Sequence, residues 1–152
     1  MKAAILWELG KDLEVRSDVG VTNLGPTDVH VKMVSSGVCH SDVSVQNGTI
    51  PLGLPAVLGH EGAGVIEEVG EGVTHLQPGD HVVISWIPQC RECYFCAGGQ
   101  GHLCDVGLPT IATGALLDGT PRFSLNGQPM LQMSASGTFT EATVVPFCPI
   151  AT

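Results

Sequence analysis

Basic residues are scarce in this chain. Six Lys and Arg stand against 15 Asp and Glu, a formal net charge of −9 with histidine neutral. No Lys/Arg cluster occurs, which argues against nucleic acid and anionic membranes as partners. No apolar run approaches the roughly 20 residues that a membrane span requires. The opening MKAAILWELGKDLEV has no long apolar stretch and reaches Glu8 early, unlike a secretory signal. A cytoplasmic setting is the expectation. Internal repeats and low-complexity tracts are also missing, and few segments hold a helical period. No G-x-G-x-x-G follows a strand. The nearest candidate, Gly62-Ala63-Gly64-Val65-Ile66-Glu67, fails at its last position and follows a histidine.

What remains is an ordinary globular composition. Charged residues make up 14% and apolar ones 43%, so 152 residues suffice for one domain with a real core and disorder is excluded. Twenty Gly and ten Pro cut the chain into short segments. Residues 2–7, 13–16, 29–34, 64–69, 81–85 and 139–145 read as strands. In the third, Val29, Val31 and Met33 alternate with His30 and Lys32, as in a half-buried sheet. Turn signals separate them at 24–27, 70–72 and 77–80. Residues 39–46 form the one good helix candidate near the front. The stretch 107–132 reads as irregular, with hairpin signals at Asp118-Gly119 and Asn126-Gly127. Many short strands with Gly/Pro turns predict a mainly β barrel or sandwich. The end, from Pro146 to Thr152, stops without a polar tail, and the expectation is a piece of a longer chain.

Chemistry-bearing residues fall into two groups. Cys90, Cys93, Cys96 and Cys104, in CRECYFCAGGQGHLC, have the spacing C-x2-C-x2-C-x7-C. Four thiolates this close suit one tetrahedral zinc with no open position, hence a structural site. Gly98, Gly99 and Gly101 let the chain turn back toward Cys104. Disulfides, free thiols and an iron–sulfur cluster are the alternatives. The cluster fits less well, because no Pro follows the fourth cysteine. The second group is Cys39-His40-Ser41-Asp42 with Gly59-His60-Glu61. A catalytic zinc keeps three protein ligands and an exchangeable position, and only two obvious ligands, Cys39 and His60, stand here. Glu61 is placed to approach the metal and Asp42 to fix the His60 tautomer. A buried thiol and a satisfied histidine explain the same residues equally well.

Gly37-Val38-Cys39-His40-Ser41-Asp42, Gly59-His60-Glu61-Gly62-Ala63-Gly64, Val69-Gly70-Glu71-Gly72-Val73, Pro78-Gly79-Asp80-His81-Val82 and the four-cysteine lobe occur in that order. Together they resemble the zinc-containing medium-chain alcohol dehydrogenases over essentially the whole chain. The resemblance implies a partly open GroES-like β-barrel over residues 1–152, incomplete, with a structural-zinc lobe projecting at about 88–106. It implies zinc at two sites and NAD or NADP held by an α/β nucleotide-binding domain absent from this chain. Cys39 and His60 resemble two of three catalytic zinc ligands, and Glu61 the carboxylate that approaches the metal during ligand exchange. Ser41 resembles the hydroxyl that starts the proton relay, and Asp42 the partner of His60. His40 matches a position near the cofactor pyrophosphate, and Ile50 and Trp86 match positions lining the substrate pocket. The implied reaction is metal-assisted hydride transfer between a small-molecule alcohol and the nicotinamide, yielding an aldehyde or ketone. A homo-oligomer is compatible with the resemblance.

Two departures stand out. The family's third cysteine ligand falls beyond Thr152; Cys148 is not its counterpart and reads as an ordinary thiol. Ser44 stands where many relatives place the histidine that ends the relay, which leaves the exit of the proton open. The fragment alone is expected to be inactive. A stand-alone zinc-binding β module without activity is the competing reading, and a metal-free quinone-reductase-like relative is disfavoured by Cys39, His60 and the lobe together. His30, His75, His81 and His102 read as surface or hydrogen-bonded. Met33, Met130 and Met133 read as core filler, with Met133 bordering the pocket, and Glu67-Glu68 as a solvated strand end.

Overall fold

The alternation around Val31 becomes the longest strand of the molecule. The computed structural model describes residues 1–22, 24–147 and 150–151, so Cys148 and the reading attached to it lie outside the described residues. In chain order the strands are β1 (Ala3–Leu6), β2 (Glu14–Arg16), β3 (Val19–Val21), β4 (Asp28–Gly37), β5 (Ala56–Val57), β6 (Glu61–Val69), β7 (His81–Ile84), β8 (Phe123–Leu125), β9 (Gln128–Gln132), β10 (Ala142–Pro146) and β11 (Ile150–Ala151). Helices α1 (His40–Gln46), α2 (Tyr94–Ala97) and α3 (Gly107–Thr113) sit in the connections. One sheet has the order β2-β1-β5-β9-β8-β3, the other β10-β4-β6-β7-β11. The isolated bridge Ala3↔Thr140 links the β1 segment to the chain entering β10, and the barrel stays partly open.

Each sheet buries one face. Val29, Val31, Ile66, Val82, Ile84 and Val145 fill the interior of the five-stranded sheet. Ile5, Val57, Phe123 and Met130 fill that of the other. A third cluster, Leu6, Val45, Leu58 and Met133, packs beneath α1. Helix α1 is short and amphipathic, and burying Val45 is what fixes it to the barrel.

Three expectations need correction. Residues 107–132 are not irregular throughout, since they contain α3 and the β8–β9 hairpin. Asn126 (φ 51°) and Gly127 (φ 78°) form the two-residue turn of that hairpin, as their sequence suggested. Asp118-Gly119 closes a tight turn, in which the Leu116 N–H donates to the Thr120 carbonyl, but joins no pair of strands. The last strand pairs with β4 from Ala142 rather than Phe139, because Phe139 turns inward onto the third cluster.

One ion pair ties the two sheets together. The buried Arg122, next to β8, places Nε 2.7 Å from Asp28 Oδ2 at the start of β4, and its Nη2 lies 2.6 Å from Asp118. Removing one member of a buried pair strands the other charge. Arg122→Ala is therefore expected to lower stability by about 3–5 kcal/mol, read from chemical denaturation. A smaller loss, below about 1 kcal/mol, would mean that the pair is effectively solvated.

Candidate metal centres and substrate cavity

The pairing of β4 with β6 is antiparallel and ends on the rung Gly37↔Glu61. Cys39 lies two residues beyond the end of β4, and His60 immediately precedes β6. Twenty-one residues of sequence separation thus become spatial adjacency. One donor atom each from Cys39, His60 and Glu61 fall within 4.8 Å of one another. Gly59 makes the approach possible. Its φ is +88°, and a Cβ there would lie 2.5 Å from Phe139 Cδ1.

Asp42 stitches the two segments. The Cys39 N–H donates to Oδ2 (2.9 Å) and the Gly59 N–H to Oδ1 (3.1 Å). Oδ1 also lies 3.4 Å from His60 Nδ1. That separation is an ionic contact rather than an aligned hydrogen bond, and the buried Nδ1 has no other partner among the described residues. Burial alone would raise the Asp42 pKa; the adjacent His60 and the amides of Cys39 and Gly59 outweigh it and hold the carboxyl below its ordinary value. Asp42 in turn raises the His60 pKa against the opposing effect of burial. His60 Nε2 faces the other way, 3.1 Å from Ser41 Oγ. Ser41, through its hydroxyl and its amide, also lowers the Cys39 thiol pKa.

These groups form the floor of a cavity of about 600 Å³. Cys39, Ser41, His60 and Glu61 contribute there; Val45, Ile50, Pro51 and Leu52 form one wall, and Leu108, Ile111 and Ala112 of α3 another. Trp86, just after β7, and Met133 and Ser134 complete the lining. Ile50 and Trp86 thus reach the same cavity as the expected ligands, and Met133 borders it. Asp42 stands behind the floor. His40 is exposed, with Nδ1 3.4 Å from Ser44 Oγ. The α3 wall escaped the sequence reading; Gly114, left-handed at φ +72° and closing that helix, was the one local signal for it.

The second centre lies in the lobe. Sγ atoms of Cys90, Cys93, Cys96 and Cys104 all fall within 4.8 Å of one another, and each of these cysteines is free of disulfide bonds. Backbone N–H groups point at the sulfurs: Cys90 and Gly107 donate to Cys104 Sγ (3.3 and 3.2 Å), and Cys93 donates to Cys90 Sγ (3.3 Å). Burial pushes Cys104 up, but these donors prevail and bring its pKa down to about 6. Cys96 is pushed up to about 12, by burial first and then by the neighbouring thiols. Four convergent sulfurs with amide donors match the donor set zinc takes in closed sites. Arg91, stacked 4.6 Å over the Phe147 ring, ties the lobe to the end of β10.

The family model described as Alcohol dehydrogenase GroES-like domain matches residues 25–149. The chain belongs to this family. An alcohol dehydrogenase class-3 of Drosophila melanogaster is 45% identical over 145 residues, covering 95% of this chain and 38% of that protein. An Escherichia coli S-(hydroxymethyl)glutathione dehydrogenase is 47% identical over 146 residues, covering 95% and 39%. Among solved structures, an alcohol dehydrogenase zinc-binding domain protein from Burkholderia ambifaria superposes with a TM-score of 0.91 at 33% identity, covering 98% of this chain and 40% of its own. The benzyl alcohol dehydrogenase of Acinetobacter calcoaceticus gives 0.88 at 32%, covering 99% and 40%. The chain thus spans about two fifths of the length of these relatives. Among the described residues no helix is long and apolar enough to cross a membrane.

Asp42 accepts from two amides that have no other partner among the described residues. Asp42→Ala should lower stability by about 3 kcal/mol and Asp42→Asn by less, since the amide keeps one acceptor oxygen. Denaturant midpoints compare the two; equal effects would show that the amides find water instead.

Proposed function

We propose that this chain is the GroES-like catalytic domain, incomplete over residues 1–152, of a zinc-dependent alcohol dehydrogenase. The reaction is oxidation of an alcohol to an aldehyde or ketone, with hydride transfer to NAD or NADP held by a nucleotide-binding domain outside these residues. The observation that carries this reading is the convergence of Cys39, His60 and Glu61 donors on the floor of an apolar cavity. The soft thiol, the imidazole and a carboxylate suit zinc in an open site. Bound there, zinc would supply Lewis-acid polarisation of the substrate oxygen.

The chain's own residues then divide the work. Cys39 and His60 would hold the metal, and Glu61 would approach it during exchange of the fourth ligand. Asp42 orients His60 by facing Nδ1, leaving Nε2 toward the cavity. Ser41 Oγ lines the cavity and would accept the alcohol proton and pass it outward. His40, exposed on α1 with Nδ1 3.4 Å from Ser44 Oγ, would face the cofactor pyrophosphate, and water or cofactor hydroxyls would carry the proton away. Ile50 and Trp86 would hold the substrate body and exclude water. Cys90, Cys93, Cys96 and Cys104 would hold a structural zinc in the lobe at about 88–106. Relatives named for S-(hydroxymethyl)glutathione and for benzyl alcohol frame two kinds of substrate.

In the full-length protein, Cys39→Ala should cut kcat by about a thousandfold or more while one zinc per chain stays in the lobe. Steady-state kinetics and metal analysis on the same preparation check this. Undiminished turnover would remove Cys39 from the reaction. Full-length protein that holds lobe zinc but oxidises no alcohol would favour an inactive zinc-binding β module.

A further inference from the structure

Both roots of the cysteine lobe run through the cavity wall. Trp86 lines the cavity from the segment that enters the lobe, and Leu108, Ile111 and Ala112 line it from the segment that leaves. One sulfur joins the two roots. Cys104, fully buried, accepts at Sγ from the Cys90 N–H on the entering side (3.3 Å) and from the Gly107 N–H on the leaving side (3.2 Å). Gly107 opens α3 and is itself buried. A Cβ on it would lie 1.8 Å from the Pro88 carbonyl oxygen, a backbone atom that cannot swing aside, so α3 starts in close contact with the entering root. The far end of α3 is held separately, by the Gln132 N–H donating to the Gly114 carbonyl (2.8 Å).

Neither partner in this contact is rigid on its own. Helix α3 has 7 residues, below the roughly 12–15 under which an isolated helix is marginal. In the lobe, neither α2 nor the single turn Gly101–Leu103 buries a side chain. The lobe therefore has little core, and an ion held by its four sulfurs is what would fix it. We propose that Gly107 is a positioning residue through which metal occupancy of the lobe sets the α3 wall of the cavity. With an ion in place Cys104 is fixed, and two amides carry that constraint into α3: the Gly107 N–H donates to Cys104 Sγ, and the Leu108 N–H donates to the Cys104 carbonyl (3.2 Å). With the ion gone Cys104 is released, the first turn of α3 loses its anchor, and Leu108, Ile111 and Ala112 lose their fixed place in the wall. The floor is untouched, because Cys39 and His60 hang on the β4–β6 pairing. The consequence for substrate binding rests on the dehydrogenase reading above; the coupling of lobe to wall does not.

The test uses full-length, zinc-loaded protein and follows amide hydrogen exchange peptide by peptide. Cys93→Ser removes a lobe ligand that belongs to neither root. In that variant exchange across 107–113 should speed up by about tenfold or more, with the β4–β6 ladder as protected as in the wild type. Gly107→Ala should give the same acceleration while metal analysis still finds zinc in the lobe. With benzyl alcohol as substrate, Gly107→Ala should raise KM by about tenfold and leave kcat nearly unchanged, because the wall moves and the floor does not. Unchanged exchange across 107–113 in Cys93→Ser overturns the proposal. Acceleration that extends through β4 and β6 overturns it as well, since the lobe would then merely support the whole fold. Gly107→Ala protein that keeps both its lobe zinc and wild-type protection across 107–113 removes Gly107 as the link. Should Gly107→Ala fail to fold, Cys93→Ser decides alone. Wild-type protein that oxidises no alcohol bears on the dehydrogenase reading only, and the exchange pattern still decides the coupling.

Discussion

The antiparallel pairing of β4 with β6 governs everything chemical in this molecule. It runs almost the full length of both strands and ends at Gly37↔Glu61. Because the pairing ends there, the chain leaving β4 and the chain entering β6 emerge side by side. Cys39 and His60 are the residues that occupy those exits. Shifting the register by one residue would turn His60 to the other face of the sheet and scatter the donors. The apolar interior of this sheet, centred on Val29, Val31 and Ile66, opposes such a slip, because the same shift would expose those side chains. Site geometry and core packing are therefore two consequences of one register.

The two donor sets differ in what surrounds them. In the lobe four sulfurs face one another and amides of the local chain face the sulfurs, so a bound ion would be enclosed. At the strand exits one sulfur, one imidazole and one carboxylate face a cavity of about 600 Å³, so a bound ion would keep a side open to small molecules. Asp42 connects the second arrangement to the fold. It holds the backbone of both exits and presents a negative charge to His60, so a single buried carboxylate serves structure and electrostatics at once.

Legibility in the sequence followed physical period and local chemistry. Strand β4 was visible because one face is buried and the other is not. The cysteine lobe was visible because all four ligands lie within fifteen residues. Proximity of Cys39 to His60 has no local signature; only strand pairing creates it, and the ordered motifs of the family were what pointed there. Helix α3 was invisible for the opposite reason. Thr110, Ile111 and Thr113 are β-branched and poor helix formers, and Pro109 looks like a breaker. Pro109 is nonetheless in the first turn, where its missing N–H costs no helical bond. Burial of Gly107 and Thr110 anchors the helix where propensity does not, and the cavity wall formed by Leu108, Ile111 and Ala112 was missed with it. The short strands β5, β8 and β9 carry too few residues to show alternation, and only Asn126-Gly127 betrayed the hairpin.

The central claim is that residues from two strand exits gather a metal ion that is separate from the one in the lobe. Anomalous diffraction at the zinc edge from crystals of the full-length, zinc-loaded protein addresses it directly. The account predicts two peaks: one about 2.3 Å from each of the four lobe sulfurs, and one about 2.3 Å from Cys39 Sγ and 2.0–2.1 Å from His60 Nε2. A map with a lobe peak alone, and a water network between Cys39 and His60, would contradict it.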